Sequence, residues 1–290
     1  MRKIDLHLHS YYSDGYLSPA RLFAKAKKNG HQVVSLTDHN GVSGLLEAKA
    51  IAKNLHLKFI NGIEFYCVYK KKRIHILAYN FKLGHPALQK IISQAQAKHR
   101  QRITKVLAKA AKIGFVIDQN RINKARSVYL GWNVIIGMLQ SNSKNLRKIN
   151  REVGKDADLL EIFDYYFAPG RPCNVKAVDW PAAQYIKAVK KSGGVAVLAH
   201  PGQQLSFADD KLIIELKAKG LVGLEVITPY HNWHQLLHYQ RLAYDHKLIM
   251  TGGTDFHGPI LDKKLKVNNQ WEYFSIPDKI YKQGLAKIIK

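Results

Sequence analysis

The chain has 290 residues, 46% of them hydrophobic, which is enough for one large domain or for a domain that carries an insert. Lysine and arginine number 46 against 21 aspartate and glutamate residues, and the resulting formal net charge of +25 would attract polyanions. The charge alone does not decide between two explanations: a polyanionic partner, or basic residues scattered over the surface for solubility. Two distant cysteines exclude a disulfide framework, and neither a leader segment nor an apolar run of transmembrane length is visible. We therefore expect a cytoplasmic protein with no membrane partner and no obligate protein partner.

Strands and helices alternate in the first 85 residues. Apolar runs predict four strands, at Arg2–Leu6, Gln32–Leu36, Leu57–Ile63 and Arg73–Tyr79. Two helices are predicted between them, one that opens at Ser18-Pro19 and reaches about Asn29, and one from about Val42 to Lys53. This alternation is typical of an α/β fold with a parallel sheet or barrel, in which functional residues follow the carboxyl ends of the strands.

The pattern changes at about Pro86, and the sequence is then mostly helical as far as Asp179. A long amphipathic helix, dense in lysine and arginine, is predicted at Leu88–Ile113. Shorter helices are predicted within Asp118–Leu139 and Ala157–Phe167, before a break at Pro169-Gly170-Arg171-Pro172. We interpret residues 86–179 as a helical insert that covers the substrate and divides the α/β body into residues 1–85 and 180–290.

The alternation of strands and helices resumes at Pro181. Strands are predicted at Val195–Ala199, Leu221–Ile227, Leu248–Thr251 and, more briefly, Trp271–Ile276. Helices are predicted at Pro181–Lys191, Phe207–Lys219 and Asn232–His246, with a further helix at the end of the chain.

Histidines and carboxylates recur where the predicted strands end. The set comprises His7, His9, Asp14, Asp38, His39, Glu64, His75, His200, Asp255 and His257. On a strand, His7 and His9 would point to the same face, where two imidazoles can bind one ion. Imidazoles with carboxylates suit Zn, Mn, Fe or Ni rather than Ca. Because one ion needs four to six ligands, the number of groups favours two or three ions, although any single residue could be an ordinary buried one.

Five stretches, in this order, resemble the motifs of the PHP family, the polymerase and histidinol phosphatase superfamily. They are Asp5-Leu6-His7-Leu8-His9-Ser10, Leu36-Thr37-Asp38-His39-Asn40, Gly62-Ile63-Glu64, Leu198-Ala199-His200-Pro201-Gly202 and Gly252-Gly253-Thr254-Asp255-Phe256-His257-Gly258. The resemblance covers nearly the whole chain. It implies a distorted (β/α)7 barrel with a trinuclear metal site at its carboxyl-terminal face.

The resemblance also implies how the ligands are shared among three ions. One ion would take His7, His9, Glu64 and Asp255, a second would take Glu64 with His75 and His200, and the third would take Asp14, His39 and His257. Asp14 stands where some family members have histidine, and Asp38 would orient a ligand. The catalytic roles would fall to His7, His9, Glu64, His200, Asp255 and His257. Mn is the metal we expect first, with Zn and Fe as alternatives.

Within the family, the insert after His75 resembles that of the TrpH-like nucleoside 3′,5′-bisphosphate phosphatases and the 5′-to-3′ exoribonuclease RNase AM. In that subgroup the insert closes over the substrate and supplies phosphate-binding groups. Carried onto this chain, the substrate contacts would be Asp14, Arg100, Gln101, Arg102, Asn133 and Arg171. The chain departs from the subgroup at Gly131-Trp132-Asn133-Val134, where Gly-Arg-Pro-His is usual. A cationic contact is lost there, and Trp132 could instead stack on a base.

The expected activity is metal-dependent hydrolysis of the phosphate esters of nucleotides. Paired ions can lower the pKa of a shared water from ~15.7 toward ~7, and arginine can pair with two phosphate oxygens. The substrate would be a nucleoside 3′,5′-bisphosphate, giving 5′-AMP and phosphate, or a short RNA degraded from its 5′ end. Two alternatives stay open: a small-molecule phosphomonoesterase of the histidinol phosphatase type, and a non-catalytic module that binds nucleic acid.

Overall fold

Seven strands form a continuous sheet, and an eighth short strand pairs with the third. The computed structural model describes residues 2–123, 129–177, 179–258, 271 and 274–289. Its strands are β1 (Ile4–Asp5), β2 (Val33–Leu36), β3 (Lys58–Tyr69), β4 (Lys72–Tyr79), β5 (Trp180–Pro181), β6 (Val195–Leu198), β7 (Gly223–Ile227) and β8 (Ile249–Gly252). Their order in the sheet is β1-β2-β3-β4-β6-β7-β8, with β5 beside β3. The chain is thus a mixed α/β protein, as its sequence predicts.

The parallel sheet that the sequence predicts is interrupted at β4. This strand runs antiparallel to both of its neighbours, β3 and β6, whereas β1, β2 and β3 are parallel, as are β6, β7 and β8. The reason is a hairpin: only Lys70 and Lys71 separate β3 from β4, and both have positive φ, at 47° and 67°. Two consecutive residues in this conformation are typical of a two-residue hairpin turn. β3 also extends to Tyr69, beyond its predicted end at Ile63.

The first and last strands of the order lie beside each other. The amide of Leu6 donates to the carbonyl oxygen of Gly252 at 3.2 Å, and the amide of His9 donates to that of Phe256 at 3.0 Å. Leu8 and Phe256 form a parallel bridge. These contacts bring the segment after β1 next to the segment after β8, which is where the two histidine motifs lie.

Eleven α-helices precede a C-terminal helical segment in the described part of the chain. They are α1 (Pro19–Lys28), α2 (Leu45–Asn54), α3 (Pro86–Lys112), α4 (Gln119–Asn123), α5 (Trp132–Gln140), α6 (Ser143–Glu152), α7 (Leu159–Tyr166), α8 (Ala182–Lys191), α9 (Pro201–Gln204), α10 (Asp210–Ala218) and α11 (Trp233–Asp245). The C-terminal segment runs through Asp278–Ile280, Tyr281–Leu285 and Ala286–Ile288. The predicted start of α1 is confirmed, since the Ser18 side chain accepts the amide of Arg21 and Pro19 is the first helical residue.

The region between β4 and β5 is helical but is divided differently from the prediction. Within the predicted helical stretch Asp118–Leu139, the described residues form α4 and α5, and residues 124–128 lie outside them. Helix α6 was not predicted; its surface is dominated by lysine, arginine and asparagine, and its buried apolar residue is Ile149. Asn142 begins this helix by accepting the amides of Lys144 and Asn145.

The buried apolar residues form two clusters. The larger one fills the α/β body, and the second lies within residues 103–175, around Ile103, Ile136 and Tyr166. Part of the strand predicted at Trp271–Ile276 falls on residues 272–273, which lie outside the described residues, but Ile276 forms an antiparallel bridge with Arg2. None of the described helices combines the length and apolarity that crossing a membrane requires.

Candidate metal centre

The ten predicted polar residues converge at one end of the sheet. They come from the segments after β1, β2, β6 and β8 and from within β3 and β4, because the carboxyl ends of parallel strands meet at one edge. The backbone is strained there: His200 and Asp255 have positive φ, at 22° and 55°. A non-glycine residue in this region costs about 1–3 kcal/mol, and such strain is typical of functional sites. The strands approach closely, since a Cβ on Gly253 would lie 2.3 Å from the Cβ of His7.

The first group of potential ligands comprises His7, His9, Glu64 and Asp255. The His7 Nε2 lies 3.2 Å from both Glu64 Oε2 and Asp255 Oδ1. The His9 Nε2 lies 3.3 Å and 2.9 Å from the same two oxygens. All four side chains are buried. Two imidazoles and two carboxylates therefore point their ligand atoms at a common point.

Glu64 connects this first group to a second one. Its Oε2 faces His7 and His9, whereas its Oε1 lies 2.9 Å from the Nδ1 of His75 and 3.0 Å from the Nε2 of His200. The two carboxylate oxygens thus serve different groups of imidazoles. Glu64 could therefore hold an ion in each of the two groups.

The third group surrounds Asp14. Its Oδ2 lies 3.3 Å from His39 Nε2, and its Oδ1 lies 3.2 Å from His257 Nε2. His9 joins this group through its Nδ1, which is 3.6 Å from Asp14. The side chains of Asp14 and His257 are 22% and 31% exposed, whereas those of His7, His9 and Glu64 are fully buried. The centre is therefore open to solvent on the side of the third group.

Asp38 and Asp5 hold the segments that carry the ligands. Asp38 accepts hydrogen bonds from the amide and hydroxyl of Ser10 and from the hydroxyl of Ser13, at 2.7–2.8 Å. Asp5, which the sequence analysis did not single out, accepts from the amides of His7 and Thr254 at 3.1 Å and 3.0 Å. Each aspartate therefore fixes the backbone next to a potential ligand, and the orienting role of Asp38 stays a prediction.

Glu225 is the main residue that sequence reasoning missed. It is buried in β7, its Oε1 lies 3.0 Å from the Nδ1 of His7, and its Oε2 accepts the amide of His200 at 2.9 Å. A carboxylate on Nδ1 turns the Nε2 of the same ring toward a metal. The available signal was a charged residue within the otherwise apolar strand Gly223–Ile227.

Electrostatics in the cluster favour an ionised Glu64 and protonated imidazoles at His39 and His257. Burial lowers the pKa of His39, but Asp14 and Glu64 outweigh it and raise this pKa to about 10. Burial also lowers the pKa of His257, but Asp14 and Asp255 outweigh it and raise this pKa to about 9. For Glu64, burial raises the pKa, yet His7, His39 and His75 hold it well below its usual value. In His75, burial prevails and lowers the pKa to about 4.

The buried polar atoms of the cluster fit bound metal ions. Six of them have no hydrogen-bond partner among the residues that the structure describes: His7 Nε2, His9 Nε2, Asp14 Oδ1, His39 Nδ1, Glu64 Oε2 and Asp255 Oδ1. Leaving a buried polar atom unpaired costs about 1–3 kcal/mol, so six together at one place need an explanation. Nitrogen and carboxylate oxygen are the ligands that first-row divalent metals prefer, and metal ions would satisfy these atoms.

A cleft of about 1100 Å³ adjoins the metal centre at His75. Its lining includes five cationic residues, which are Lys71, Arg73, Lys98, Arg102 and Lys176. It also includes six aromatic residues, which are Tyr66, Tyr129, Trp132, Phe163, Phe167 and Trp180. We call this space the cleft. It combines positive charge with aromatic surface directly beside the potential metal ligands.

The predicted substrate contacts have different locations relative to the cleft. Arg102 lines it, and its Nε donates to the carbonyl oxygen of Val175 at 2.8 Å. Arg100, Gln101 and Arg171 are exposed and lie outside its lining, so their contact with phosphate stays a prediction. Asn133 instead contacts the metal centre: its Nδ2 donates to the backbone oxygen of Asp14 at 2.7 Å.

Trp132 is packed within the insert rather than free to rotate. Its ring lies 4.9 Å from that of Phe163 and 5.0 Å from that of Phe167, and the guanidinium of Arg102 is 5.3 Å from its centroid. It nevertheless lines the cleft, so stacking on a base stays a prediction. His231, which follows β7, accepts the amide of Gly202 and lies against the carbonyl oxygen of Val226, so both of its ring nitrogens contact the backbone.

Comparison with known proteins reveals similarity to one family and to several enzymes. Residues 5–129 match the family model described as the PHP domain. A curated relative from Haemophilus influenzae, a 5'-3' exoribonuclease, is 29% identical over 89% of this chain and 91% of its own length. A 3',5'-nucleoside bisphosphate phosphatase from Chromobacterium violaceum is 27% identical over 89% of this chain and 88% of its own. A solved structure described as an amidohydrolase from Chromobacterium violaceum, with bound sulfate, superposes with a TM-score of 0.75 at 26% identity, covering 90% of this chain and 89% of that one.

Proposed function

We propose that this protein is a metal-dependent phosphoesterase that hydrolyses phosphate esters of nucleotides. Its substrate is a nucleoside 3′,5′-bisphosphate, cut to the 5′-nucleotide and phosphate, or a short RNA degraded from its 5′ end. The observation that carries the proposal is the arrangement of three groups of potential ligands around Glu64 and Asp14. The names of the two curated relatives, each similar over nearly the whole chain, support the same class of substrate.

The nine side chains assigned to metal in the sequence analysis would hold two or three divalent ions, with Mn proposed first. When bound, such ions lower the pKa of a coordinated water and neutralise charge on a phosphate. Glu64 and Asp255 supply carboxylate oxygens to the inner groups, and Asp14 does so on the exposed side. Glu225 keeps the Nδ1 of His7 occupied, so that its Nε2 faces the centre.

The substrate would reach the centre through the cleft. Arg102 and Lys98 line it and would bind phosphate oxygens, with arginine suited to two oxygens at once. Tyr66 and Tyr129 lie in the same lining, with ring centroids 4.4 Å and 5.8 Å from that of His39. These residues would orient the phosphate and exclude water from its neighbourhood.

We also propose the finer architecture that the family resemblance implies. The hydrogen bonds that join Leu6 to Gly252 and His9 to Phe256 support closure of the sheet into a distorted (β/α)7 barrel. The separate apolar cluster within residues 103–175 supports a helical insert at 86–179 that covers the substrate, between barrel segments 1–85 and 180–290. The buried, unpaired Cys67 and Cys173 support the expected cytoplasmic location.

The test is hydrolysis of two substrates in parallel, with added Mn and with a chelator. Adenosine 3′,5′-bisphosphate should yield 5′-AMP and phosphate, or a 5′-phosphorylated RNA should yield mononucleotides stepwise, and the chelator should abolish either reaction. Asp255→Ala is the matched inactive variant, because it removes a carboxylate from the first group of potential ligands. Release at the wild-type rate by this variant, or activity that survives chelation, would contradict the proposal. Activity on small phosphomonoesters alone would favour the histidinol phosphatase alternative, and RNA binding without any turnover would favour the non-catalytic module.

A further inference from the structure

Gln204 links the two histidines of the second group of potential ligands. It is the last residue of α9, and its Oε1 accepts the backbone amide of His75 at 3.1 Å. Its Nε2 lies 3.2 Å from the Nδ1 of His200. Because the amide of His75 can only donate, the oxygen of the Gln204 side chain must face it, and the NH2 group must then face His200. The backbone of β4 thereby fixes the orientation of this side chain.

The hydrogen bonds of His200 determine where its proton lies. An NH2 group can only donate, so the Nδ1 of His200 accepts from Gln204 and the proton of the neutral ring lies on Nε2. From there it is donated to the Oε1 of Glu64, at 3.0 Å. A histidine that binds a metal through Nε2 must instead carry its proton on Nδ1. Gln204 therefore favours the form of His200 that does not bind a metal through Nε2.

His7, in the first group, has the opposite kind of partner. Its Nδ1 lies 3.0 Å from the Oε1 of Glu225, and a carboxylate on Nδ1 leaves the lone pair on Nε2. In the part of the chain that the structure describes, the Nε2 of His7 and the Oε2 of Glu64 have no hydrogen-bond partner. The Oε1 of Glu64 and the Nε2 of His200, in contrast, are bonded to each other. The first group thus presents its ligand atoms to an ion, whereas those of the second group are engaged with one another.

The segment that carries Gln204 is held in place from outside the metal centre. The amide of Gly202 donates to the Nε2 of His231 at 3.0 Å, and its carbonyl oxygen accepts the Nε2 of Gln235 at 2.9 Å. A Cβ on Gly202 would lie 2.7 Å from both of these side chains, so the contact is close. Gln204 can therefore leave His200 only by rotation of its own side chain.

We propose that Gln204 is a positioning residue that makes the second group bind its metal ion more weakly than the first group does. An ion can bind to the Nε2 of His200 only after the proton has moved to Nδ1 and the NH2 group of Gln204 has turned away. That turn breaks the hydrogen bond with the amide of His75. Occupancy of the second group would then depend on the supply of metal. The proposal rests on the proposed function for the presence of metal ions, and it adds which ion is held weakly and by which residue.

The first test is a Mn titration of the chelator-treated protein, with free Mn measured by electron paramagnetic resonance. The wild type should bind its ions with at least two affinities. In Gln204→Glu, one carboxylate can accept from both the amide of His75 and the Nδ1 of His200, so the Nε2 keeps its lone pair for the metal. Outer partners of this kind change metal affinity by about 10–100-fold, so one weakly bound Mn should tighten by about tenfold or more. The tightest ion should be unaffected.

The matched control is Gln203→Glu, which adds the same charge at the preceding, exposed residue of α9. It should bind Mn as the wild type does. A single affinity for all ions in the wild type, no tightening in Gln204→Glu, or equal tightening in both variants would each overturn the proposal.

The second test reads the proton of His200 directly and does not depend on the folding of a variant. Long-range proton–nitrogen NMR of the chelator-treated wild type, labelled with 15N-histidine, should show the proton on Nε2, with the signal assigned through its loss in His200→Ala. A proton on Nδ1 would contradict the proposal. Hydrolysis is measured separately with Mn. A wild type that gives both expected results but hydrolyses no nucleotide would contradict the proposed function alone, whereas hydrolysis without an effect of Gln204→Glu on Mn binding would contradict only the role of Gln204.

Discussion

The metal centre and the cleft meet at His75 but differ in how their polar groups are satisfied. In the metal centre, imidazoles and carboxylates lie within about 3 Å of one another, and His7, His9 and Glu64 are completely buried. In the cleft, Lys71, Lys98 and Lys176 are exposed. The first arrangement fixes its side chains before any ligand arrives, whereas long lysine side chains can adapt to one.

This difference separates two tasks of a phosphoesterase. Groups that act on the phosphate must be held in place, because small displacements at a reacting centre lower the reaction rate strongly. Groups that hold the remainder of a polyanion need only supply positive charge, and exposed lysines do so without being fixed in position. Changes at the metal centre should therefore alter metal binding and rate steeply, and changes at its periphery should alter them mildly.

The largest effect we predict is the pH dependence of metal binding. Without metal, His39 and His257 have raised pKa values of about 10 and about 9, so both are protonated at pH 7. A histidine must be neutral to bind a metal, and each displaced proton makes affinity rise tenfold per pH unit. Mn affinity should therefore rise up to about a hundredfold per unit between pH 6.5 and 8.5. Calorimetry in two buffers that differ in ionisation enthalpy counts the protons released. Affinity independent of pH would show that these imidazoles are not ligands.

A smaller effect is expected for Glu225→Gln. Glutamine keeps the shape of the side chain but removes the charge that faces the Nδ1 of His7. Loss of such an outer partner typically costs about 10–100-fold in metal affinity or activity. Metal content after dialysis and kcat with saturating Mn would separate the two contributions. Glu215→Gln, at the exposed ion pair with Lys70, is the matched control and should leave both quantities unchanged.

The sequence predicted the metal centre better than the cleft, for a physical reason. The motif residues follow strands that can be predicted from their apolar runs. The ends of parallel strands converge, which brings His7, Glu64 and Asp255 together. Glu225 was not predicted as part of the metal centre because it lies inside its strand. The lysines of the cleft are far apart along the chain, and only the packing of the helical region against β4 and β5 gathers them. The β3–β4 hairpin was missed because its turn is Lys70-Lys71, without the glycine or asparagine that usually marks one.

The smallest effect tests the contact between the helical region and the metal centre. Gly131 and Asn133 lie against the loop that carries Asp14: a Cβ on Gly131 would be 2.6 Å from that of Asp14, and Asn133 donates to its backbone oxygen. Asn133→Ala removes this hydrogen bond, which costs about 0.5–1.5 kcal/mol. It should lower Tm slightly and weaken binding of the most weakly held metal ion a few-fold, as measured by metal titration. Asn142→Ala removes a helix cap in the same region but far from the ligands, so it should lower Tm without changing metal binding. If both variants changed metal binding alike, the effect of Asn133 would be one of general stability, and the helical region would not position Asp14.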